Sequence, residues 1–220
     1  MLVAGVDDAG RGPIIGPLVI AGVLLEEKEM SKLKLLGVKD SKMLSPRRRE
    51  QLVVGIKELV LKHCVESLSP EEIDRVVETG RKLHRLNRLE ANTMAKVIEH
   101  LKPDIAYVDA SDVLADRFKE HIVEKLAFEV KIVSEHKADV KYPIVSAASI
   151  IAKVERDRAI QELSDKYGEI GSGYVTDPKT IGFLEKWLAT HGSYPRSVRK
   201  SWKPAKELRS KAKARQMKLR

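Results

Sequence analysis

The sequence predicts an α/β protein with a mixed β-sheet, flanking helices and a mostly helical C-terminal part. Near the N-terminus, two apolar runs are separated by the segment GRGPIIGP, a pattern typical of two paired strands joined by a structured loop. Beyond Pro103, a strand, a helix and a second strand follow at the spacing of a parallel crossover. The pattern after this crossover is helical, which predicts helices packed against or appended to the sheet.

The first half of the chain contains three of the predicted strands. We expect strands at residues 2–6, 18–25 and 64–68. Between the second and third strands, Ser45 is positioned to cap a helix that has Pro46 at its first position. Apolar residues at helical spacing over 83–101 predict an amphipathic helix, which ends before Pro103.

The second half of the chain is predicted to contain the crossover and a series of helices. We expect strands at 105–108 and 129–133 and helices at 115–126, 141–167, 179–190 and 204–213. The segment SAASIIAK gives the long helix a face of small side chains, which favours close packing. We therefore predict one α/β domain over residues 1–165 and a helical C-terminal extension with a basic tail over 166–220.

Charge and composition favour a polyanionic partner for a water-soluble protein. The formal net charge is +9, and the last 22 residues carry ten Lys or Arg against Glu207, so the other 198 residues are neutral overall. The tail is interpreted as a nucleic-acid arm, a helix packed on the body or a solubilising end. No run of 18 apolar residues suggests a membrane span, and the single Cys64 excludes an internal disulfide. We expect a cytoplasmic monomer.

Acidic residues accompany three of the predicted strands. Asp7 and Asp8 follow the first, Asp109 ends the strand after Pro103, and Asp139 follows the last strand at the start of a helix. Each has a structural alternative, since an aspartate also begins turns and caps helices. Together at one end of a sheet, however, these carboxylates would repel one another unless a cation neutralised them. Oxygen ligands alone indicate Mg²⁺ or Mn²⁺, and such a pair of ions supports phosphoryl transfer.

Five motifs in order resemble those of the ribonuclease HII family, in particular its archaeal form. They are GVDDAGRGPIIGPLVIAG, GVKDSKMLS, YVDASDV, EHKADVKYPIVSAASIIAKVERDR and GSGYVTDPKT. The resemblance covers nearly the whole chain and implies an RNase H-like mixed sheet flanked by helices, with a helical C-terminal extension. It also implies an endonuclease that hydrolyses the RNA strand of RNA/DNA hybrids and cuts on the 5′ side of ribonucleotides in duplex DNA, with two Mg²⁺ or Mn²⁺ ions when substrate is bound.

The resemblance assigns site residues in three groups. The implied catalytic and metal-binding residues are Asp7, Asp8, Asp109 and Asp139. The implied junction-recognising residues are Gly10, Arg11, Gly12 and Tyr174, the first three through exposed peptide groups and the tyrosine by stacking on the neighbouring deoxyribose. The implied phosphate-side residues are Lys42, Lys153, Ser146 and Ser149. His136, at the start of a helix, is interpreted as structural.

One position departs from the family pattern DEAGRGP, because Asp8 stands where the family has glutamate. The missing methylene shortens the reach of the carboxylate by roughly 1 to 1.5 Å. Two alternatives therefore remain, a nuclease of this fold that acts on DNA and a catalytically weakened protein that only binds hybrids. The C-terminal QMKLR lacks the paired aromatic residues of a sliding-clamp peptide, so clamp binding by that route is not expected.

Overall fold

The computed structural model describes residues 1–38, 44–78 and 82–218. The strands are β1 (Leu2–Ala9), β2 (Leu18–Glu26), β3 (Lys62–Leu68), β4 (Ile105–Asp109) and β5 (Lys131–Glu135). The helices are α1 (Met30–Leu36), α2 (Pro46–Leu59), α3 (Pro70–Val77), α4 (Lys82–Leu101), α5 (Ala115–Val123), α6 (Ala138–Lys141), α7 (Pro143–Tyr167), α8 (Pro178–His191) and α9 (Lys203–Lys218). A 3₁₀ turn, Glu27–Glu29, precedes α1.

The chain forms two compact units, each built from separate segments. Unit 1 comprises Met1–Ala9, Val19–Ser67 and Leu83–Glu155, and unit 2 comprises Gly10–Leu18, Leu68–Lys82 and Arg156–Arg220. The division into domains 1–165 and 166–220 stays a prediction, because compactness does not show which part of a chain folds independently.

Unit 1 is organised around a mixed sheet in the order β3–β2–β1–β4–β5. The two N-terminal apolar runs pair antiparallel, with Leu2 opposite Glu26 and Ala9 opposite Val19. β4 pairs in parallel with both β1 and β5, and α5 connects β4 to β5. The predicted fold class and the parallel crossover are therefore confirmed, and the carboxyl ends of β1, β4 and β5 lie at one edge of the sheet.

Two glycines show which helix covers each face of this sheet. A Cβ on Gly5 would lie 2.3 Å from the carbonyl oxygen of Ile144, so the backbone of α7 packs directly against β1. On the other face, a Cβ on Gly22 would lie 2.4 Å from a methyl group of Val97 in α4. Gly22 pairs with Val6, the neighbour of Gly5, and successive residues of a strand face opposite sides. Helices α7 and α4 thus cover opposite faces of β1.

Unit 2 has its own apolar core, which includes the C-terminal helix. The buried residues of this core are Ile14, Ile15, Ile170, Leu184, Leu188, Tyr194, Val198 and Ala205. Leu208 and Ala212 of α9 pack against it, and the Tyr194 hydroxyl donates a hydrogen bond to Ala205 O at 2.9 Å. Of the three interpretations of the basic tail, the structure therefore supports a packed helix, with its apolar residues on the core of unit 2.

The observed elements differ from the predicted ones in several places. Strand β1 runs to Ala9, so Asp7 and Asp8 lie within the strand and do not follow it, and β5 lies two residues later than predicted. Helix α3 was not predicted, although Ser69 and Glu72 form a reciprocal capping box at its start. The helix predicted at 141–167 begins at Pro143, and the short helix α6 precedes it as a separate element, because Tyr142 stands before Pro143 and adopts an extended conformation. The cap by Ser45, whose hydroxyl accepts a hydrogen bond from Arg48 N, is confirmed. Across residues 1–38, 44–78 and 82–218, no helix is long and apolar enough to cross a membrane.

Candidate active site

The adjacent acids Asp7 and Asp8 lie near the carboxyl end of β1 and face opposite sides of the sheet. Asp7 is on the same side as Gly5, towards α7, and is buried. Asp8 is on the side of Val6, towards α4, and is half-buried. The strand therefore gives the two carboxylates different environments although they are neighbours in the sequence.

Asp7 lies in an environment that disfavours its charged form. Burial raises its pKa well above the ordinary value, and the negative charges of Asp8 and Asp109 raise it further. Hydrogen bonds from the Ser149 hydroxyl and from Asp8 N, at 2.7 Å, oppose this effect in part. Lys153 Nζ donates to Ser149 Oγ at 2.9 Å, so a chain of hydrogen bonds runs from a lysine on α7 to Asp7.

Asp109 and Asp139 are connected through the backbone at the start of α6. Asp109 is the last residue of β4, next to β1, and its Oδ1 accepts a hydrogen bond from Ala138 N at 2.7 Å. Asp139 is the next residue along α6 and is buried. The structure therefore brings Asp109 to the edge where Asp7 lies and places the helix turn that carries Asp139 beside it.

Asp8 has two polar neighbours that the sequence analysis missed. Ser111 Oγ lies 3.2 Å from Asp8 Oδ1 and 2.8 Å from Glu90 Oε1. Glu90, on α4, is completely buried. Ser111 lies within the motif YVDASDV, which was a possible signal, whereas Glu90 lies in an amphipathic helix that also contains exposed polar residues.

The carboxylates attract cations but do not form a closed cage. Over the part of the chain that the structure describes, no three His, Cys, Asp or Glu side chains meet as a ready-made metal site. Asp7 and Asp8 face opposite sides of β1, so these two neighbouring side chains do not point to the same side of the sheet. The oxygen donors nevertheless fit hard divalent cations, and Mg²⁺ commonly takes only one or two protein carboxylates, with waters and substrate phosphates completing its shell.

The glycine-rich loop that follows β1 belongs to unit 2 and is held there by a buried arginine. Arg199 is completely buried, and its guanidinium donates hydrogen bonds to the carbonyl oxygens of Gly10, Arg11 and Gly16. Gly10 has φ +91°, and a Cβ there would lie 2.6 Å from Pro17 O, so the position requires glycine. In the sequence, Arg199 is one of ten bases in the last 22 residues, and no local pattern predicts this contact.

Tyr174 lies beside the same loop within unit 2. Its ring atom Cε1 would be 3.8 Å from a Cβ on Gly12, and 41% of the residue is exposed. Arg156 packs 5.1 Å from the ring centroid and donates a hydrogen bond to Ser172 O at 2.6 Å. The structure thus brings together the tyrosine and the glycine loop predicted to recognise a junction, and leaves the ring accessible for stacking.

The remaining predicted site residues differ in how deeply they are buried, and one of them is not described by the structure. Lys42 lies outside the described residues. Ser146 and Ser149 are buried, and Lys153 is half-buried, so their predicted contact with phosphate stays a prediction. The ring nitrogens of His136 lie 3.2 Å from Ala110 O and 3.3 Å from Val113 O, which agrees with its interpretation as structural.

Comparison with known proteins gives one consistent family. A sequence model described as Ribonuclease HII matches residues 4–205. Ribonuclease HII of Thermococcus onnurineus is 50% identical, with 100% of this chain and 95% of the relative aligned. The crystal structure of ribonuclease H2 from Pyrococcus horikoshii OT3 has a TM-score of 0.89 and 44% identity, over 97% of this chain and 99% of that one. The structure of the PCNA:RNase HII complex from Archaeoglobus fulgidus has a TM-score of 0.84 and 44% identity, over 94% and 96% of the two chains.

Proposed function

This chain belongs to the ribonuclease HII family of nucleases, and from that premise we propose that it hydrolyses the RNA strand of RNA/DNA hybrids and cuts on the 5′ side of ribonucleotides in duplex DNA. The observation that carries the proposal is the parallel pairing of β1 and β4, which places Asp7 and Asp109 on neighbouring strands at the carboxyl edge of the sheet, beside Asp8. Three carboxylates in mutual repulsion form a site that becomes stable when positive charge is bound.

We propose that Asp7, Asp8, Asp109 and Asp139 hold two Mg²⁺ or Mn²⁺ ions together with the substrate. Because the described carboxylates form no closed cage, phosphate oxygens and waters would complete the coordination. Ions bound there would supply an activated water for in-line attack and charge stabilisation for the leaving oxygen. Hydrogen bonds orient two of these carboxylates, Asp7 through the Ser149 hydroxyl and Asp109 through Ala138 N.

The proposed reaction is a simple displacement at phosphorus. The oxygen of water forms a bond to the phosphorus on the 5′ side of the ribonucleotide, and the bond from phosphorus to the upstream 3′ oxygen breaks. The leaving oxygen takes up a proton, so the products carry a 3′-hydroxyl and a 5′-phosphate. Carboxylates in buried and half-buried positions at the sheet edge are suited to this chemistry, because a cation held there would be screened less by water than one at the open surface.

Recognition of the ribonucleotide is proposed for Gly10, Arg11, Gly12 and Tyr174. The absence of side chains at the glycines allows a backbone to approach a 2′-hydroxyl closely, and the exposed tyrosine ring provides a stacking surface beside Gly12. Arg199 supports this role because it fixes three carbonyl groups of the loop. Lys42, Lys153, Ser146 and Ser149 are proposed to act on the phosphate side, with Ser149 acting through Asp7.

The proposed partners are RNA/DNA hybrids and duplex DNA that contains ribonucleotides. The Archaeoglobus fulgidus structure is a complex with PCNA, whereas the tail of this chain ends in QMKLR, without paired aromatic residues. We propose only that residues 216–220, which lack paired aromatic residues, do not form a sliding-clamp peptide. A monomer that works in the cytoplasm remains part of the same proposal.

Asp109→Asn tests the proposed site. We expect the rate of metal-dependent cleavage of a duplex with one ribonucleotide to fall at least about 100-fold, as is usual when a group that stabilises charge in the transition state is removed. The amide oxygen can still accept from Ala138 N, and one source of repulsion is removed, so the thermal unfolding temperature should be unchanged or higher without metal. The measurements are single-turnover rates in Mg²⁺ and Mn²⁺, substrate binding and thermal unfolding.

Two outcomes would contradict the proposal. Cleavage by Asp109→Asn at the parental rate would remove Asp109 from the site. If the parent protein cut a four-way DNA junction but neither a hybrid nor a ribonucleotide-containing duplex, it would be a DNA nuclease of the same fold.

A further inference from the structure

Asp8 is attached to the interior of unit 1 by a hydroxyl that two carboxylates share. Ser111 Oγ is 3.2 Å from Asp8 Oδ1 and 2.8 Å from Glu90 Oε1. Ser111 stands 103 residues from Asp8 and 21 residues from Glu90 in the sequence. The three residues come from β1, the loop after β4 and α4, so their contact depends on the packing of three separate elements.

Glu90 is an unusual residue to bury. It is 0% exposed, and a glutamate is rarely inside a protein unless its charge or its hydrogen-bonding capacity is used. Its position on α4 faces the side of the sheet on which Asp8 lies, opposite to the side of Asp7 and α7. The burial therefore places a carboxylate behind Asp8, with Ser111 between them.

Asp7 also contacts a serine that in turn contacts a titratable residue, but that residue is a lysine and not a glutamate. On the α7 side, the Ser149 hydroxyl bonds to Asp7, and Lys153 donates to Ser149. On the α4 side, the Ser111 hydroxyl lies within hydrogen-bonding distance of both Asp8 and Glu90, and its single proton can be donated to either carboxyl group. Each of the two acids thus has one serine within hydrogen-bonding distance, and that serine contacts one further titratable residue, Lys153 or Glu90.

We propose that Ser111 and Glu90 are positioning residues for Asp8, which hold its short carboxylate at the edge of the site. The proposal rests on the proposed function, because it treats Asp8 as a metal ligand. An aspartate has a shorter side chain than a glutamate, so a metal ligand at this position depends more strongly on the direction in which Cβ and the carboxylate point. When Ser111 donates its proton to Asp8, the hydrogen bond limits the rotation of the Asp8 carboxylate, and Glu90 holds the same hydroxyl in place from the side of α4.

The test compares Ser111→Ala with Ser111→Thr and with a control. Ser111→Ala should lower the single-turnover rate about 10-fold and raise the Mn²⁺ concentration needed for half-maximal rate, and Ser111→Thr, which keeps a hydroxyl, should restore both. Glu90→Gln should lower the rate less, because the amide keeps one hydrogen bond to Ser111. The control is Thr93→Val, also on α4, which removes a buried hydroxyl that donates to Leu89 O at 2.9 Å.

A double-mutant cycle separates positioning from a general loss of stability. If Ser111 acts through Asp8, Ser111→Ala should add no further loss of rate in an Asp8→Ala background. An equal 10-fold loss in both backgrounds, or a parental rate for Ser111→Ala, would overturn the proposal. Mn²⁺ binding measured by calorimetry without substrate should be weaker in Ser111→Ala than in Thr93→Val.

This binding measurement also distinguishes the two proposals. If the parent bound Mn²⁺ but cut no hybrid or ribonucleotide-containing duplex, the proposed function would fail while weaker binding by Ser111→Ala would still support the positioning role. If the parent cut its substrate and Ser111→Ala bound Mn²⁺ as tightly as Thr93→Val, the positioning role would be wrong and the function would stand.

Discussion

Asp112 stabilises the loop that carries Ser111. Its carboxylate accepts hydrogen bonds from the guanidinium of Arg117 and from Leu114 N at 3.0 Å. Burial alone would raise the pKa of Asp112, but the bonds from Arg117, Leu114 N and Asn87 outweigh it and hold the pKa well below the ordinary value. The folded protein therefore favours the charged form of this residue.

Asp112→Asn is predicted to destabilise the protein in a pH-dependent way. A carboxyl whose pKa is lowered by folding contributes stability above its unfolded pKa, near 4, and that contribution is lost as the pH falls towards the folded value. At pH 7 we expect a loss of about 1–3 kcal/mol, the scale of hydrogen bonds to charged groups. Thermal unfolding of parent and variant from pH 7 to pH 3 checks this.

The pH profile provides the decisive comparison for Asp112. The difference between the two proteins should shrink below pH 4. A difference that stayed constant down to pH 3 would show that the charge of Asp112 does not contribute, and that the variant is destabilised by altered packing alone.

At the scale of elements, the contact between β1 and α7 positions the acids of the site. Gly5 allows the backbone of α7 to lie against the strand, and α7 carries Ser149, which bonds to Asp7. The small side chains of SAASIIAK agree with this close approach. Displacement of α7 would therefore alter the orientation of Asp7 as well as the packing of the core.

Gly5→Ala is expected to be more harmful than Gly22→Ala. The added Cβ of Gly5→Ala would meet backbone atoms of Ile144 and Val145, whereas that of Gly22→Ala would meet side-chain atoms of Val97 and Leu101, which can shift. We expect Gly5→Ala to cost about 1–3 kcal/mol or more, the range for overpacked cores, and Gly22→Ala to cost less.

Thermal unfolding and single-turnover rates measure the two effects. Gly5→Ala should also lower the rate at a temperature where the variant remains folded, because α7 moves with Ser149. Equal stability losses in both variants would mean that α7 adjusts as readily as the side chains on α4.

At the scale of the whole molecule, the excess positive charge lies in residues 199–220, of which Lys203–Lys218 form helix α9. Ala205 of α9 is buried, and Leu208 and Ala212 pack on the core of unit 2, while Lys206 and Arg209 are exposed. Truncation at residue 203 would remove packing together with charge. Substitution of exposed bases is therefore the cleaner test of a role in binding nucleic acid.

The variant Lys206→Gln/Arg209→Gln should bind its duplex with a weaker dependence on salt. If both bases contact phosphates, the slope of log K against log salt concentration should become shallower by about 1–2, since each phosphate contact contributes roughly 0.9. The control Lys125→Gln/Lys131→Gln makes the same change of net charge at exposed positions. Equal slopes for the two variants would show that α9 acts only as a packing element.

Local patterns in the sequence predicted much of this protein. Apolar runs identified β1, β2 and β4, and the aspartates predicted beside these strands placed Asp7 and Asp109 at one edge of the sheet, because parallel strands align their carboxyl ends. The resemblance in motifs identified the family, which the comparisons confirmed. These features depend on short segments and on general rules of sheet topology.

Tertiary packing decided which polar residues support the site. Nothing in the periodicity of α4 distinguishes Glu90, which is buried behind Ser111, from its exposed neighbours, and nothing local in the basic tail separates Arg199 from the other bases. Arg199 bonds to Arg11, which is 188 residues away, and Ser111 contacts Asp8 across 103 residues. These contacts form because the folded elements bring the side chains together and because a buried charge without a partner is costly. Both causes are properties of the assembled core.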